Sequence, residues 1–330
     1  PELHRRASVW FQESGLIPVA VRHALAAEVS DRAASLIEQI AWPVLVPREM
    51  SLLQGWLDDL PYDVVRSRPR FGIARAWALA VSGHWDAVEP YLAEDDIQHV
   101  QGEAAAVRAY VTLRQGDIAN TIKLANQALA QLPAEDMFLR ATVALDLGVA
   151  YSSNGESEAA GRALNKAIML SQSAGLTYLT LAAKSTLGKV QDTQGLLHRA
   201  VATQRKALEL AHEPGGHPLP IAGMAHIGLA EVLYEWNDLD GAQHNAKEGI
   251  KLLELGGFTS YRLIGLAILT KVSQAWGNLD KATEMIHEAK RLAREYPYPL
   301  ITSLITGLQV RLDVAQGNVA AAYRWAHSFK

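Results

Sequence analysis

The 330-residue sequence contains no cysteine. This absence excludes disulfide bonds, thiolate nucleophiles and cysteine-ligated metal centres, and it fits a reducing compartment. No apolar run reaches the length of a membrane span, and no stretch has the layout of a signal peptide. We therefore expect a cytoplasmic chain that has no membrane contact.

Positive charge is scarce for a nucleic-acid-binding protein. Lysine and arginine number 31 against 35 acidic residues, which gives a formal net charge of −4. Binding to phosphates needs a basic face. We therefore expect no direct contact between this chain and nucleic acid.

The motifs of common enzymes are also missing. The sequence has neither a Gly-x-Ser-x-Gly elbow nor a glycine-rich phosphate loop. His287 begins a zinc-protease motif, but Arg291 occupies the position of the second histidine. His212 and His217 flank a Gly/Pro loop and are most simply solvated. The sequence favours a chain that is not an enzyme and that holds no cofactor and no metal.

What the sequence does contain is an internal repeat. A turn led by glycine, or once by asparagine, recurs between amphipathic stretches at Gly83, Gly116, Gly155, Gly195, Asn237, Gly277 and Gly317. Asparagine tolerates the left-handed backbone of a helix-ending turn almost as well as glycine does. A period of about 40 residues is typical of helical solenoids. We predict an all-α, right-handed superhelical solenoid of antiparallel helical hairpins, similar to tetratricopeptide repeats.

Small residues recur at fixed places after these turns. Five residues after the turn stand Ala160, Ala200, Ala242, Ala282 and Ala322. Twelve residues after it stand Ala128, Ala167, Ala207, Gly249 and Ala289. Where two helices cross closely, only a small side chain lets the backbones approach. These positions are therefore predicted to form the helix-to-helix contacts of the core.

Each repeat is predicted to be a first helix (the A helix), a short turn, a second helix (the B helix) and a longer connection. The connections carry helix breakers such as Pro133, Gly175, Pro214 and Pro297. We predict A helices at 68–81, 101–114, 138–153, 177–193, 220–236, 260–276 and 300–316. We predict B helices at 85–94, 118–132, 157–174, 197–212, 239–255, 279–295 and 319–328. No stretch alternates with a period of two, so no sheet is expected.

The first 65 residues are helical in pattern but do not follow the repeat, and Pro43 and Pro47 interrupt them. We predict two domains, a helical adapter at 1–65 and the repeat array at 66–330. The sequence opens with Pro1 and has no initiator methionine. We expect it to be a fragment of a longer polypeptide, in which the adapter follows a domain that precedes it.

A candidate binding face follows from the repeat. In a right-handed stack the A helices line the concave side, and the position six residues before each turn points into the groove. That position and the next inward ones supply the candidate ligand or partner site: Trp77, Tyr110, Arg114, Lys189, Asp192, Glu231, Tyr234, Lys271 and Arg311. The alternative is an open, hydrated groove in which Lys189, Glu231 and Lys271 only neutralise one another. Trp236 and Trp276 are predicted to pack against the next hairpin.

The first third of the chain resembles a known family. The resemblance rests on LHRRASVW at residues 3–10, ESGL at 13–16, VRHALAA at 21–27, AASLIE at 33–38, LQGWLDDLP at 53–61, RPR at 68–70 and AWAL at 76–79. These segments are similar to the region that follows the winged-helix domain in MalT-like, large ATP-binding regulators of the LuxR class. Beyond residue 95 only the repeat supports the resemblance.

This resemblance implies the signal-sensing segment of a transcription activator. In that family a nucleotide-binding module of the STAND class and a helix-turn-helix module flank the sensor in the same chain. The implied partners are a small-molecule inducer or a regulatory protein or peptide, together with those two modules. ATP and DNA binding are not carried onto residues of this chain, because it contains neither a phosphate loop nor a recognition-helix module.

Two other interpretations remain open at this point. A generic tetratricopeptide-like scaffold would bind a peptide or protein along an open channel, whereas a small inducer needs an enclosed pocket with converging polar groups. An enzyme would need a buried titratable group with a strongly perturbed pKa. The sequence offers no obvious group of that kind.

Overall fold

The computed structural model describes residues 1–40, 47–92, 100–212, 216–295 and 299–327. Over these ranges the chain is helical and has no strand, apart from an isolated bridge between His212 and Pro218. The all-α helical-repeat fold is therefore confirmed. Pro43, Pro214 and Pro297, which were predicted to break helices, lie outside the described residues.

The chain divides into two compact units, of which unit 1 comprises Pro1–Thr112 and Ala119–Asp146. Its helices are α1 (Glu2–Glu13), α2 (Ile17–Ala26), α3 (Ser30–Ile40), α4 (Pro47–Asp58), α5 (Tyr62–Arg66), α6 (Pro69–Val81), most of α7 (Gln101–Gln115), α8 (Ile118–Gln131) and the first part of α9 (Met137–Ser153). Pro47 does not interrupt a helix. It begins α4, where the missing N–H of a proline costs nothing.

Unit 2 comprises Leu113–Ile118 and Leu147–Lys330. Its further helices are α10 (Ser157–Ser173), α11 (Thr177–Thr193), α12 (Leu197–Leu210), α13 (Ala222–Glu235), α14 (Leu239–Gly256), α15 (Thr259–Ala275), α16 (Leu279–Glu295), α17 (Pro299–Ala315) and α18 (Val319–His327). From α10 onward each helix packs on the next. The A helices α11, α13, α15 and α17 also contact one another in turn, so that they form one layer.

The turns lie where the repeat predicts them. All seven turn residues have a positive φ, including Gly195 at 73° and Asn237 at 61°. A residue in this left-handed conformation ends a helix by turning its last carbonyls toward backbone N–H groups. In α13, for example, the Asn237 N–H donates to the carbonyl of Tyr234. The prediction that Asn237 forms a helix-ending turn in place of glycine is therefore confirmed.

One predicted helix is wrong. Residues 85–92, the described part of the helix predicted at 85–94, do not form a B helix, because Trp85–Ala87 and Glu89–Tyr91 are two short 3₁₀ turns. Pro90 explains the difference, since proline lacks an N–H and its ring clashes with the carbonyl four residues earlier in an α-helix. The other predicted helices match the observed ones to within about two residues, the usual uncertainty of helix ends.

The small repeat positions are the core contacts. Ala160, Ala200, Ala242 and Ala282 have no exposed surface. The fifth, Ala322, is only half-buried in α18, a helix that buries no residue fully. Among the described residues no helix is long and apolar enough to cross a membrane.

Candidate functional site

Five of the candidate residues lie on α11, α13 and α15, three contacting helices in the layer of A helices in unit 2. Lys189 and Asp192 are on α11, Glu231 and Tyr234 on α13, and Lys271 on α15. Lys189, Glu231 and Lys271 each stand six residues before a turn, and their helices contact in sequence. We call these five residues the A-helix row.

Lys189 joins two helices of the A-helix row through ion pairs. Its Nζ lies 2.5 Å from Glu231 Oε1 and 3.5 Å from Asp192 Oδ2. The side chain of Lys189 is 45% exposed, whereas the side chains of Glu231 and Asp192 are 15% and 11% exposed. Burial opposes the charge on Lys189, but the Glu231 and Asp192 carboxylates together outweigh it and hold the pKa of Lys189 above its usual value. Lys189 therefore stays charged at neutral pH.

Lys271 does not complete a chain of alternating charges. Its Nζ lies 5.6 Å from the centre of the Tyr234 ring, over the face of the ring. The electron-rich face of an aromatic ring attracts a cation. Lys189 and Glu231 neutralise each other as the alternative interpretation expected, but Lys271 interacts with an aromatic ring instead. The A-helix row thus offers carboxylates, ammonium groups and an aromatic surface within three adjacent helices.

A buried glutamine lies between α11 and α13, the two helices that the Lys189–Glu231 pair joins. Gln204 on α12 is 1% exposed, and its Nε2 donates to the Ser185 carbonyl of α11 at 3.0 Å. A Cβ atom added at Gly188 or Gly228 would lie 2.4 or 2.1 Å from Nε2 of Gln204. Only glycines leave room for the Gln204 amide between α11 and α13.

The importance of Gln204 was not predicted from the sequence. The signal was available, because Gly188 and Gly228 stand inside two predicted helices. A glycine inside a helix costs about 1 kcal/mol relative to alanine and so needs a packing reason.

The other four candidate residues do not lie together on neighbouring helices of one unit as the A-helix row does. In unit 1, Trp77 and Tyr110 meet edge to face, with ring centres 5.2 Å apart. Trp77 is only 4% exposed, so it offers little surface to a ligand. In unit 2, Arg114 is half-buried on α7 and Arg311 is exposed on α17.

Trp236 makes a ring contact with the preceding hairpin, whereas its packing against the next hairpin stays a prediction. Its ring lies 5.1 Å from that of His198, on α12 of the preceding hairpin. Trp236 and Trp276 keep 41% and 44% of their surface exposed.

Unit 1 contains two further features that the sequence did not predict. The Glu103 carboxylate is buried, and its Oε1 lies 3.3 Å from Arg70 Nη2. Burial raises the pKa of Glu103, although Arg70 acts to lower it. An open cleft of about 600 Å³ is lined by Arg22, Trp56 and Asp59, among others.

The described residues contain no group of three or more histidine, cysteine or acidic side chains that could hold a metal ion. The A-helix row also lacks a nucleophile beside a general base, the arrangement that covalent catalysis requires. What the row supplies is a set of hydrogen-bonding, charged and aromatic groups, which is the chemistry of binding.

Helical hairpins that repeat with a period of about 40 residues and end on left-handed turns define a tetratricopeptide-like array. The family described as the MalT-like TPR region matches residues 102–330. The chain therefore belongs to the family of MalT-like TPR regions.

The curated relatives include the HTH-type transcriptional regulators MalT of Yersinia enterocolitica and Yersinia pestis. The first is 28% identical over 98% of this chain, and the second is 27% identical over 98% of this chain. The matched region is 37% of each relative. The chain thus spans little more than a third of the length of these relatives.

Two solved structures share the fold. A STAND protein (Signal Transduction ATPase with Numerous Domains) with a tetratricopeptide repeat sensor from Pyrococcus horikoshii gives a TM-score of 0.67 at 15% identity, over 99% of this chain and 53% of that one. A Rap protein complexed with Competence and Sporulation Factor gives a TM-score of 0.62 at 13% identity, over 96% of this chain and 90% of that one. At these identities the likeness is one of fold alone.

Proposed function

We propose that this chain is the sensing array of a signal-responsive transcriptional activator and that it binds its ligand or partner at the A-helix row. Membership in the MalT-like TPR family supports the regulator context. The main support for this binding site is the set of contacts across α11, α13 and α15. Lys189 forms an ion pair with Glu231, and the Lys271 ammonium lies over the ring of Tyr234. The role is binding and not catalysis.

The contacts also suggest how binding is transmitted. A ligand that competes for Lys189 or Glu231 loosens the bond between α11 and α13 and replaces it with its own contacts. Each repeat touches only its neighbours, so a change at one seam alters the spacing of the hairpins beside it. In the proposed regulator this change reaches a nucleotide-binding switch and a DNA-binding module in other parts of the polypeptide.

The openness of the A-helix row favours a peptide or protein segment as a second candidate. Lys189 is 45% exposed although its partners are largely covered, and an extended segment needs such an open face. The Rap protein was solved with Competence and Sporulation Factor, so an array of this fold can hold a second molecule. A small inducer would instead have to draw the side chains of the row around itself.

The first test is a thermal-shift screen of the chain against sugars, nucleotides, amino acids and short peptides. The affinity of each hit is then measured by calorimetry for the parent and for Lys189→Ala, Glu231→Ala and Lys271→Ala. Loss of a buried charge-assisted contact costs about 2–5 kcal/mol in binding, so at least one variant should bind more than tenfold more weakly. Lys206→Ala, an exposed lysine on the B helix α12, is the matched control. Parent-like affinity in all three variants would refute the site.

A further inference from the structure

Two histidines meet at the first helical hairpin of unit 1. His4 on α1 and His23 on α2 approach with their Nδ1 atoms 2.7 Å apart and their ring centres 5.0 Å apart. The helices are joined by a short turn in which Gly15 has a φ of 75°. The contact therefore bridges two packed helices.

This geometry requires the two Nδ1 atoms to differ in whether they carry a proton. A hydrogen bond between two Nδ1 atoms needs one Nδ1 to carry a proton and the other to offer a lone pair. Two doubly protonated rings would instead place two N–H groups and two positive charges against each other. The pair thus places both Nδ1 atoms at one position, where each ring can offer a lone pair once the proton between them has moved away.

One of the two rings is held in place. His23 is half-buried and stacks on Phe11 of α1, with ring centres 5.3 Å apart and planes 4° apart. Phe11 in turn meets Trp10 edge to face at 4.9 Å. His4 is exposed, so it is the ring that adjusts when the contact changes.

We propose that His4 and His23 chelate one divalent transition-metal ion of the zinc class through their Nδ1 atoms. Imidazole nitrogen is a preferred ligand of zinc, copper and nickel. With metal–nitrogen bonds of about 2.0–2.1 Å, two ligands of a tetrahedral site stand about 3.3 Å apart. The observed separation therefore needs to widen by only about 0.6 Å, which a small rotation of the exposed His4 ring provides. The proton on one Nδ1 moves to Nε2 of the same ring, so both rings stay neutral.

The bound ion would bridge α1 and α2 and exchange with ions in solution. The part of the chain that the structure describes brings no third histidine, cysteine or carboxylate into a common group with the pair, so water completes the coordination. Closed structural zinc sites use four protein ligands and catalytic ones three; two ligands give weaker, reversible binding. The inference stands apart from the proposed ligand site in unit 2.

The test is a calorimetric titration of the parent chain with Zn²⁺ as the sole metal, in a buffer that does not bind zinc. We expect one ion per chain and a rise in the unfolding midpoint with zinc concentration. Even outer-shell partners of a metal site contribute 10–100-fold to affinity, so His4→Gln and His23→Gln should each weaken binding by at least about tenfold. His244→Gln, an exposed histidine on α14, should leave binding unchanged.

Two results would overturn the site. One is the absence of zinc binding by the parent, which would leave a hydrogen-bonded histidine pair only. The other is binding that depends on His4 but survives His23→Gln. Should the half-buried His23 variant lose helix content by circular dichroism, ¹⁵N spectra of the parent imidazoles decide the question. Zn²⁺ must then shift the Nδ1 signals of both rings and not of one.

Discussion

Because α11 and α13 approach closely around Gln204, we expect Gly228→Ala to destabilise the chain. Alanine favours a helix by about 1 kcal/mol over glycine, so the substitution would stabilise an open site. At this site the new Cβ would lie 2.1 Å from Gln204 Nε2 and 2.6 Å from Cδ. Ordinary contacts between such atoms are about 3.5 Å, so the amide must move by more than 1 Å.

Gln204 cannot make that movement without loss. It is 1% exposed, and the hydrogen bond that its Nε2 donates to the Ser185 carbonyl would break. Overpacking costs about 1–3 kcal/mol, and a lost buried hydrogen bond costs about 1–3 kcal/mol more. Together these costs outweigh the gain in helix propensity, so we expect Gly228→Ala to lower the free energy of unfolding by about 1–5 kcal/mol.

The assay is urea denaturation followed by circular dichroism at the helix band. The matched control is Gly161→Ala on α10, where an added Cβ meets nothing within 4 Å and alanine should stabilise by up to about 1 kcal/mol. Gln204→Ala in the Gly228→Ala background should recover part of the loss, because it removes the clashing amide. If Gly228→Ala stabilises the chain as Gly161→Ala does, the packing argument is wrong.

Three further predictions follow from burial and charge. Ala160→Leu, Ala200→Leu and Ala282→Leu should each lower the free energy of unfolding by about 1–3 kcal/mol through overpacking; unchanged denaturation midpoints in all three would refute the repeat alignment. The raised pKa of Glu103 means that its contribution to stability is fully present below its usual value of 4.5 and is lost as pH rises through the folded value. Glu103→Gln should therefore gain stability relative to the parent between pH 4 and pH 7 in urea denaturation, and an unchanged difference would contradict the assignment. Because the pKa of Lys189 is raised, the contribution of Lys189 to stability is lost only above pH 10.5, the usual pKa of a lysine. The difference in free energy of unfolding between Lys189→Ala and the parent should therefore be constant from pH 6 to pH 9. A difference that varies in this range would contradict the assignment.

Those parts of the fold that depend on local chemistry were predictable from the sequence. Gly195 and Asn237 mark helix ends because few other residues adopt a positive φ. Ala160 marks a helix contact because the repeat brings the same position to the same neighbour each time. The error at residues 85–94 came from giving the repeat more weight than Pro90, whose missing N–H is a local constraint that the period does not override.

The candidate site was predictable only as a set of positions. The period places Lys189, Glu231 and Lys271 on neighbouring helices, but side-chain conformation decides that Lys189 meets Glu231 while Lys271 lies over Tyr234. The place of Gln204 depends on how closely α11 and α13 of successive repeats approach, and the contact between His4 and His23 depends on the angle at which α1 meets α2. No periodicity encodes such pairwise geometry.

The central claim is that a ligand or partner binds across the A helices of unit 2. Hydrogen–deuterium exchange measured by mass spectrometry, with and without a saturating hit from the thermal-shift screen, tests it most directly. We expect slower exchange in α11, α13 and α15, with little change in the B helices α12, α14 and α16 beside them. Protection confined to the B helices would contradict the claim. So would unchanged protection of α11 and α13, at the same ligand concentration, in the Lys189→Ala and Glu231→Ala variants.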